Sequence, residues 1–382
     1  MIKYNYLFDG RKISNFGFGL YRGEESNLKD REIIKTVIYG LNKGINLIDT
    51  AQKYRNGRSE KLIKGILKNF KKRENLIIIT KVGLIPPYIK KKNILKKLSV
   101  NKSNCLEEMD FSIDPKYINW SVNNSLKLMG TNYIDFYLLH NPEISLLLKN
   151  GHKKIIEALK ILEEKRKEKK ILFYGIATWN GFRRISGNNN QLDIEKILND
   201  LEKEVGKDHG FRCIEAPLSL GMPDLLNFKT NKDFNLGTFL KKYKINFFSS
   251  ASFYEGNLTN LVELNKIFNS TYVNKDLLNE TKKANVSFPL SENSLRRLFI
   301  LLENFRKNKI LIENIKFKFS KVTNIFSTNI NFLKSIPFIT SSLTGMDEKK
   351  FIKFNLKEFS YKLNANDIKK IETLWKKFSA FL

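Results

Sequence analysis

The sequence predicts an α/β protein folded as a (β/α)8 TIM barrel, and three observations carry that expectation. Short β-rich runs alternate with amphipathic helical stretches, the pattern of βαβ units around a parallel sheet. Eight such runs can be counted along the 382 residues, one for each strand of a closed barrel. Runs such as Leu76–Lys81 (LIIITK) are apolar on both faces, as strands buried between a filled interior and a layer of helices must be.

Taken in order, Phe16–Tyr21 is expected as the first strand. Ile33, Ile34, Val37, Ile38 and Leu41 then recur at helical spacing, with Gly44 placed to end that helix. Ile45–Asp49 is the second strand, and Leu62, Ile63, Ile66, Leu67 and Phe70 mark the next helix. After the third strand at Leu76–Lys81, Asp114-Pro115 announces a helix start. It is an acceptor for the free first-turn amides followed by a residue preset for helical φ. Ile118, Val122, Leu126 and Met129 keep one face of that helix apolar, and Gly130 closes it. Ile134–His140 is the fourth strand and Ile171–Thr178 the fifth, separated by a helix around Ile155, Ile156, Leu159 and Leu162. Arg212–Pro217, Ile245–Ser250 and Phe338–Leu343 supply the sixth, seventh and eighth.

Residues 1–382 read as a single barrel domain, with no internal repeat and no linker. The Asn- and Lys-rich stretch 260–335 is expected to be a helical insertion or a lid. The formal net charge of +29 raises nucleic acid as a partner, but Lys and Asn are scattered through every segment. The basic runs carry no interleaved aromatic platform, so nucleic acid is not expected. No apolar stretch of about 18 residues offers a membrane span. The opening MIKYNYLFDGRK lacks the apolar core of a signal peptide, and the two cysteines, Cys105 and Cys213, fit no disulfide framework. A cytoplasmic protein is the expectation, of open oligomeric state.

Several chemistries are disfavoured by spacing. Gly17, Gly19 and Gly23 do not form the GxGxxG of a dinucleotide fold, and no Walker-type loop is present. The three histidines, His140, His152 and His209, stand at no metal-ligand spacing, so no metal site is expected. His152 and His209 read as surface or loop residues, and Cys213 as a small buried apolar one.

Parallel barrels build their chemistry at the C-terminal ends of strands. Asp49 ends INLID, Lys81 ends LIIITK, His140 ends DFYLLH, and Tyr54 follows Asp49 by five residues on the loop above. One polar strand end is commonly a helix cap. An acid, a phenol, a lysine and an imidazole at three consecutive strand ends form a constellation. Asp49 would hold the Lys81 ammonium in a poorly solvated pocket, and Lys81 would favour the Tyr54 phenolate and lower its pKa. Tyr54 would then donate a proton to an alkoxide, with His140 orienting a carbonyl oxygen. None of these side chains carries hydride, so a nicotinamide cofactor is required.

The string GINLIDTAQKYRNGRSEKLIKGIL resembles the first signature of the aldo-keto reductases: an Asp, a Tyr five residues on, then a G-x-S-E turn opening the next helix. ITKVG supplies the family lysine and YIDFYLLHNPE the family histidine. YGIATWNGFR, FRCIEAPLSLGM and SLTGMDEKKFIKFNL resemble later strands of a bacterial-type branch. The resemblance runs from about residue 10 to 376, with 260–335 the least alignable part. It implies the barrel, NAD(P)H-dependent reduction of an aldehyde or ketone, Tyr54 as proton donor, and supporting roles for Asp49, Lys81 and His140.

The cofactor positions depart from the family pattern. A Ser-Asn pair after the fifth strand becomes Ala177-Thr178, and a Gln on the sixth becomes Glu215. The aromatic residue that stacks on the nicotinamide becomes Ser250. The 2′-phosphate grip becomes Gly345, Met346 and Phe351, while Asn355 at the adenine end is retained. The cofactor-binding set implied is Thr178, Glu215, Ser250, Gly345, Met346 and Asn355. NADP(H) is expected ahead of NAD(H), with Lys349, Lys350 or Lys353 as substitute phosphate ligands or as plain surface lysines. The alternative to a reductase of small carbonyl substrates is a catalytically weak nucleotide-binding or regulatory protein on the same fold.

Overall fold

Alternation with a period of two decides what each strand of this protein points into the interior. The strands are β1 (Phe16–Gly19), β2 (Leu47–Asp49), β3 (Ile77–Val82), β4 (Ile134–His140), β5 (Ile171–Ala177), β6 (Phe211–Pro217), β7 (Asn246–Ser250) and β8 (Ser341–Thr344). They close into one parallel barrel in chain order, β8 pairing back onto β1. Leu47, Ile77, Ile79, Phe136, Leu138, Ala177, Cys213, Phe248 and Leu343 form its apolar filling. Asp49, Lys81 and Glu215 each lie two residues beyond a member of that set, on the same face and one layer nearer the C-terminal mouth.

The computed structural model describes residues 2–182, 191–219, 222, 224–230, 234–252 and 325–360. Most of the stretch 260–335, expected as an insertion or lid, lies outside the described residues. The chain divides into two compact units. Met1–Pro217, Asp224–Ser250 and Pro337–Tyr361 make the first, which holds the whole barrel. Leu218–Pro223, Ala251–Ile336 and Lys362–Leu382 make the second, in which the helix Ile325–Ser335 is described and the Asn329 amide donates to the Ser252 carbonyl. No helix among the described residues is long and apolar enough to cross a membrane.

Helices α1 (Asn27–Leu41), α2 (Arg58–Asn69), α3 (Pro115–Met129), α4 (Gly151–Lys167), α5 (Ile194–Val205), α6 (Leu236–Lys242) and α7 (Lys349–Ser360) accompany the strands. Asp114 accepts from the Lys116 amide at the start of α3, and Gly130 ends that helix at φ 64°, both as the sequence predicts. The expected glycine stop of α1 comes later than its cap. The cap residue is Asn42, and Gly44 turns left-handed two residues on. Strand β1 ends before Leu20, whose amide donates to Asp49, and β8 begins after Phe338, whose ring packs edge-on to Phe247. An N-terminal hairpin, Tyr4–Tyr6 against Lys12–Ser14, contributes Leu7 and Ile13 to the core and closes the N-terminal end of the barrel. There the buried Asp135 accepts from the Ile78 amide at 2.9 Å and Arg73 at 2.8 Å, and pairs with Arg11.

Candidate active site

Three adjacent strands bring the sequence-predicted tetrad together. Lys81, 1% exposed, sits at the mouth end of β3 and donates to Asp49 on β2. The same ammonium lies 3.2 Å from the Tyr54 hydroxyl and 3.2 Å from the Thr50 carbonyl. The Tyr54 ring meets the His140 imidazole edge-on, with centroids 5.8 Å apart. Tyr21, two residues beyond β1, packs edge-on against Tyr54 from the other side at 5.2 Å.

The turn that presents Tyr54 is strained. Arg55, Asn56 and Gly57 are all left-handed, at φ 47°, 53° and 83°. A side chain in that region costs on the order of 1–3 kcal/mol, so neighbouring bonds must hold it. The Arg55 guanidinium is buried and donates to the carbonyls of Gly23 and Glu24 and to Asp30, tying this turn to the β1 loop. The Asn56 side chain accepts from the Tyr88 amide at 2.9 Å. Gly57 is required twice over, because a Cβ there would lie 2.4 Å from the Tyr88 ring. Gly83 answers a similar need beyond β3. Its φ is 139°, and a Cβ would meet the His140 carbonyl at 2.7 Å.

Glu215 stands apart from the other expected cofactor residues. Its Oε2 lies 3.2 Å from Lys81 Nζ, so two carboxyl groups converge on one buried ammonium. Burial pulls the ammonium down, but Asp49 and Glu215 outweigh it and hold Lys81 charged. Burial and the Asp49 charge push Glu215 up to about 8, against the pull of Lys81. Burial leaves Asp49 above its ordinary value as well, with Lys81 opposing. The pair therefore titrates jointly and keeps one proton at neutral pH.

The expectation that Lys81 would lower the Tyr54 phenol meets a correction. Lys81 does pull downward, but burial pushes harder, aided by Asp49 and Glu215, and the phenol stands well above its ordinary value. Its proton is therefore in place at neutral pH. His140 is held well below 6.5 by burial and by the Lys81 and Lys53 charges, so it stays neutral.

The other expected cofactor residues line the ends of β5 to β8. The Thr178 hydroxyl accepts from the Gly181 amide at 2.9 Å and keeps its own proton to donate. Ser250 ends β7 beside Pro217, and Gly345 and Met346 follow β8. Asn355 on α7 donates to the Thr344 hydroxyl at 3.3 Å, while its buried Oδ1 takes no hydrogen bond among the described residues. Sequence reasoning missed Glu143. Its Oε1 accepts from the amides of Trp179 and Asn180, both at 2.9 Å, and so fixes the loop after β5. The HNPE string contained it, but only the fold shows what it clamps. His209 is a loop residue as expected yet a buried one, its Nδ1 near the Phe211 amide. Cys213 is fully buried in the core, as expected.

Residues 15–200 match the family model of the Aldo/keto reductase family. Among curated proteins, the NADH-specific methylglyoxal reductase of Escherichia coli (strain K12) is 31% identical over 149 residues, 39% of this chain and 42% of that protein. The chain matches less than half the length of the first curated relatives. Among solved structures, the holo form of aldo-keto reductase AKR11C1 from Bacillus halodurans superposes with a TM-score of 0.62. It has 18% identity, over 98% of this chain and 96% of that one. An aldo/keto reductase from Klebsiella pneumoniae in complex with NADP and acetate gives a TM-score of 0.57 at 12% identity, over 98% and 95%. The closed parallel barrel and the match over residues 15–200, just under half of the chain, make this protein similar to the aldo/keto reductases in fold and in the sequence of its first five strands.

Proposed function

We propose that this protein is an NAD(P)H-dependent oxidoreductase that reduces an aldehyde or ketone to an alcohol, with Tyr54 as the proton donor. The observation that carries the reading is the chain of contacts from Asp49 through Lys81 to the Tyr54 hydroxyl, with neutral His140 facing Tyr54 across the mouth. A neutral imidazole donates a hydrogen bond to a carbonyl oxygen and polarises it without contributing charge. Tyr54 holds its proton at neutral pH and yields it only to a strong base such as a nascent alkoxide. The phenolate left behind faces the Lys81 ammonium, which lowers the cost of its formation.

Residues at the ends of β5 to β8 fit a nicotinamide nucleotide. The orphaned Oδ1 of Asn355 is a buried acceptor suited to an adenine amine, and the Thr178 hydroxyl retains a donor for a carboxamide oxygen. When bound, that nucleotide supplies hydride to the carbonyl carbon. We infer NADP(H) ahead of NAD(H), because Lys349, Lys350 and Lys353 crowd the start of α7, where an anion is favoured. The Klebsiella pneumoniae neighbour was solved with NADP, whereas the Escherichia coli relative is NADH-specific, so both forms belong in the test.

Tryptophan fluorescence titrated with NADPH and NADH, then turnover of para-nitrobenzaldehyde, tests the reading. We expect binding, turnover, and a loss of about a thousandfold or more in kcat for Tyr54→Phe with nucleotide binding unchanged. Tight binding without turnover, unaffected by Tyr54→Phe, would overturn the reductase in favour of a nucleotide-binding protein.

A further inference from the structure

We propose that Glu215 is a positioning residue that supplies and withholds the proton of Tyr54 by way of Lys81. The inference rests on the reductase reading above and deepens it at the same site. Lys81 carries three protons, and the geometry commits all three: to Asp49, to the Thr50 carbonyl and to the Tyr54 hydroxyl. Glu215 Oε2 stands at 3.2 Å from the same nitrogen yet receives no hydrogen bond among the described residues. One buried cation thus serves two buried carboxyl groups. Two unbalanced negative charges in a dry interior are costly, so one carboxyl keeps a proton. Asp49 takes the Lys81 hydrogen bond and remains the carboxylate. Glu215 is the acid.

Among the described residues, the surroundings of Glu215 leave no other proton donor in reach. Asp49 faces it from β2, Lys81 from β3, and Tyr54 from the loop after β2. Cys213, two residues back on its own strand, is a thiol pushed far up by burial and stays neutral. The flanking strands present Ala177 and Phe248, which do not titrate. His140 on β4 is neutral.

The proton path then balances. Tyr54 gives its hydroxyl proton to the substrate oxygen as hydride reaches the carbonyl carbon. The phenolate takes a proton from the Lys81 ammonium, and the resulting amine takes the carboxyl proton of Glu215. Tyr54 and Lys81 end as they began, the substrate has gained hydride and proton, and Glu215 is left a carboxylate until water returns its proton. Once the pH exceeds the point at which Glu215 ionises, the reserve is spent in advance. The added negative charge also makes Tyr54 a weaker acid, so reduction slows on the alkaline side.

The test uses the full chain and Glu215→Gln, an isosteric amide that keeps the bulk and polarity. Carbon-13 NMR of side-chain-labelled glutamate is expected to show a carboxyl titrating above neutrality that is absent from Glu215→Gln. A wild-type Glu215 that titrates in the ordinary glutamate range overturns the proposal. With para-nitrobenzaldehyde, kcat of the wild type is expected to fall about tenfold per pH unit above the same point; the variant, which holds no proton reserve, is expected to start lower at neutral pH and to stay level to at least about one pH unit higher. An unmoved alkaline limb overturns the proposal. Should the wild type turn over no carbonyl, the reductase reading fails while Glu215 remains decidable from carbon-13-labelled tyrosine. A Tyr54 hydroxyl that ionises at lower pH in Glu215→Gln supports the coupling, and an unchanged one refutes it.

Discussion

Behind β3, on the side away from the barrel interior, Glu60 offers a quantitative test of how burial governs this protein. Its side chain, on α2, is 0% exposed. Oε1 accepts from the Thr80 hydroxyl at 2.8 Å and from the Ser125 hydroxyl at 2.7 Å, and Oε2 takes no hydrogen bond among the described residues. No cation among the described residues offsets the charge, so burial wins over the two hydroxyls and pushes the carboxyl from 4.5 up to about 7. A group raised in the folded state stabilises fully below its unfolded pKa, and that contribution is lost as pH climbs through the folded one. For Glu60 the window runs from 4.5 to about 7, and the full loss is about 3 kcal/mol. Glu60→Gln cannot ionise and keeps an acceptor for both hydroxyls. In urea denaturation the variant should match the wild type to within about 1 kcal/mol near pH 5 and exceed it by about 2 kcal/mol near pH 8. Glu215 is common to both proteins, so its own titration cancels in the comparison. Parallel pH dependences would refute the argument, because they would mean that Glu60 is already ionised, and solvated, in the folded protein.

Two further substitutions test the site's framework. Lys81→Met leaves Asp49 and Glu215 facing each other without a cation, and should cost about 3–5 kcal/mol at neutral pH. Both carboxyls then rise further, so the cost must grow with pH, and an equal drop in melting temperature at acid and alkaline pH would contradict it. Gly57→Ala places a Cβ 2.4 Å from the Tyr88 ring at φ 83°, and should destabilise by about 2 kcal/mol or more in urea. An alanine variant as stable as the wild type would show that the turn carrying Tyr54 is not held as described.

Much of this architecture was legible in the sequence because it rests on local patterns. Asp114, Pro115 and Gly130 mark their helix by groups that act within one turn, and the strand ends at Asp49, Lys81 and His140 follow from apolar runs that stop at a polar residue. Once the strands are placed, period-two alternation sets Asp49 and Lys81 on the face that fills the barrel. The boundaries that moved, at Leu20 and Phe338, are places where a neighbouring strand or ring competes for the chain. Glu143 was visible only as a letter after His140, since its partners lie 36 and 37 residues away.

What the chain determined by itself is the barrel, the order of its strands and the four side chains at three strand ends, all of which depend on periodicity and motif. What only the tertiary structure decided is the electrostatic character of that site. Glu215 lies 134 residues from Lys81 yet 3.2 Å from its ammonium, and no local pattern encodes that distance. Burial, aided by Asp49 and then by Glu215, outweighs the lysine and reverses the expected shift of Tyr54. Proton energies depend on what surrounds a group in space, and closing the barrel is the step that turns the Glu215 side chain of strand six toward those of strands two and three across the interior.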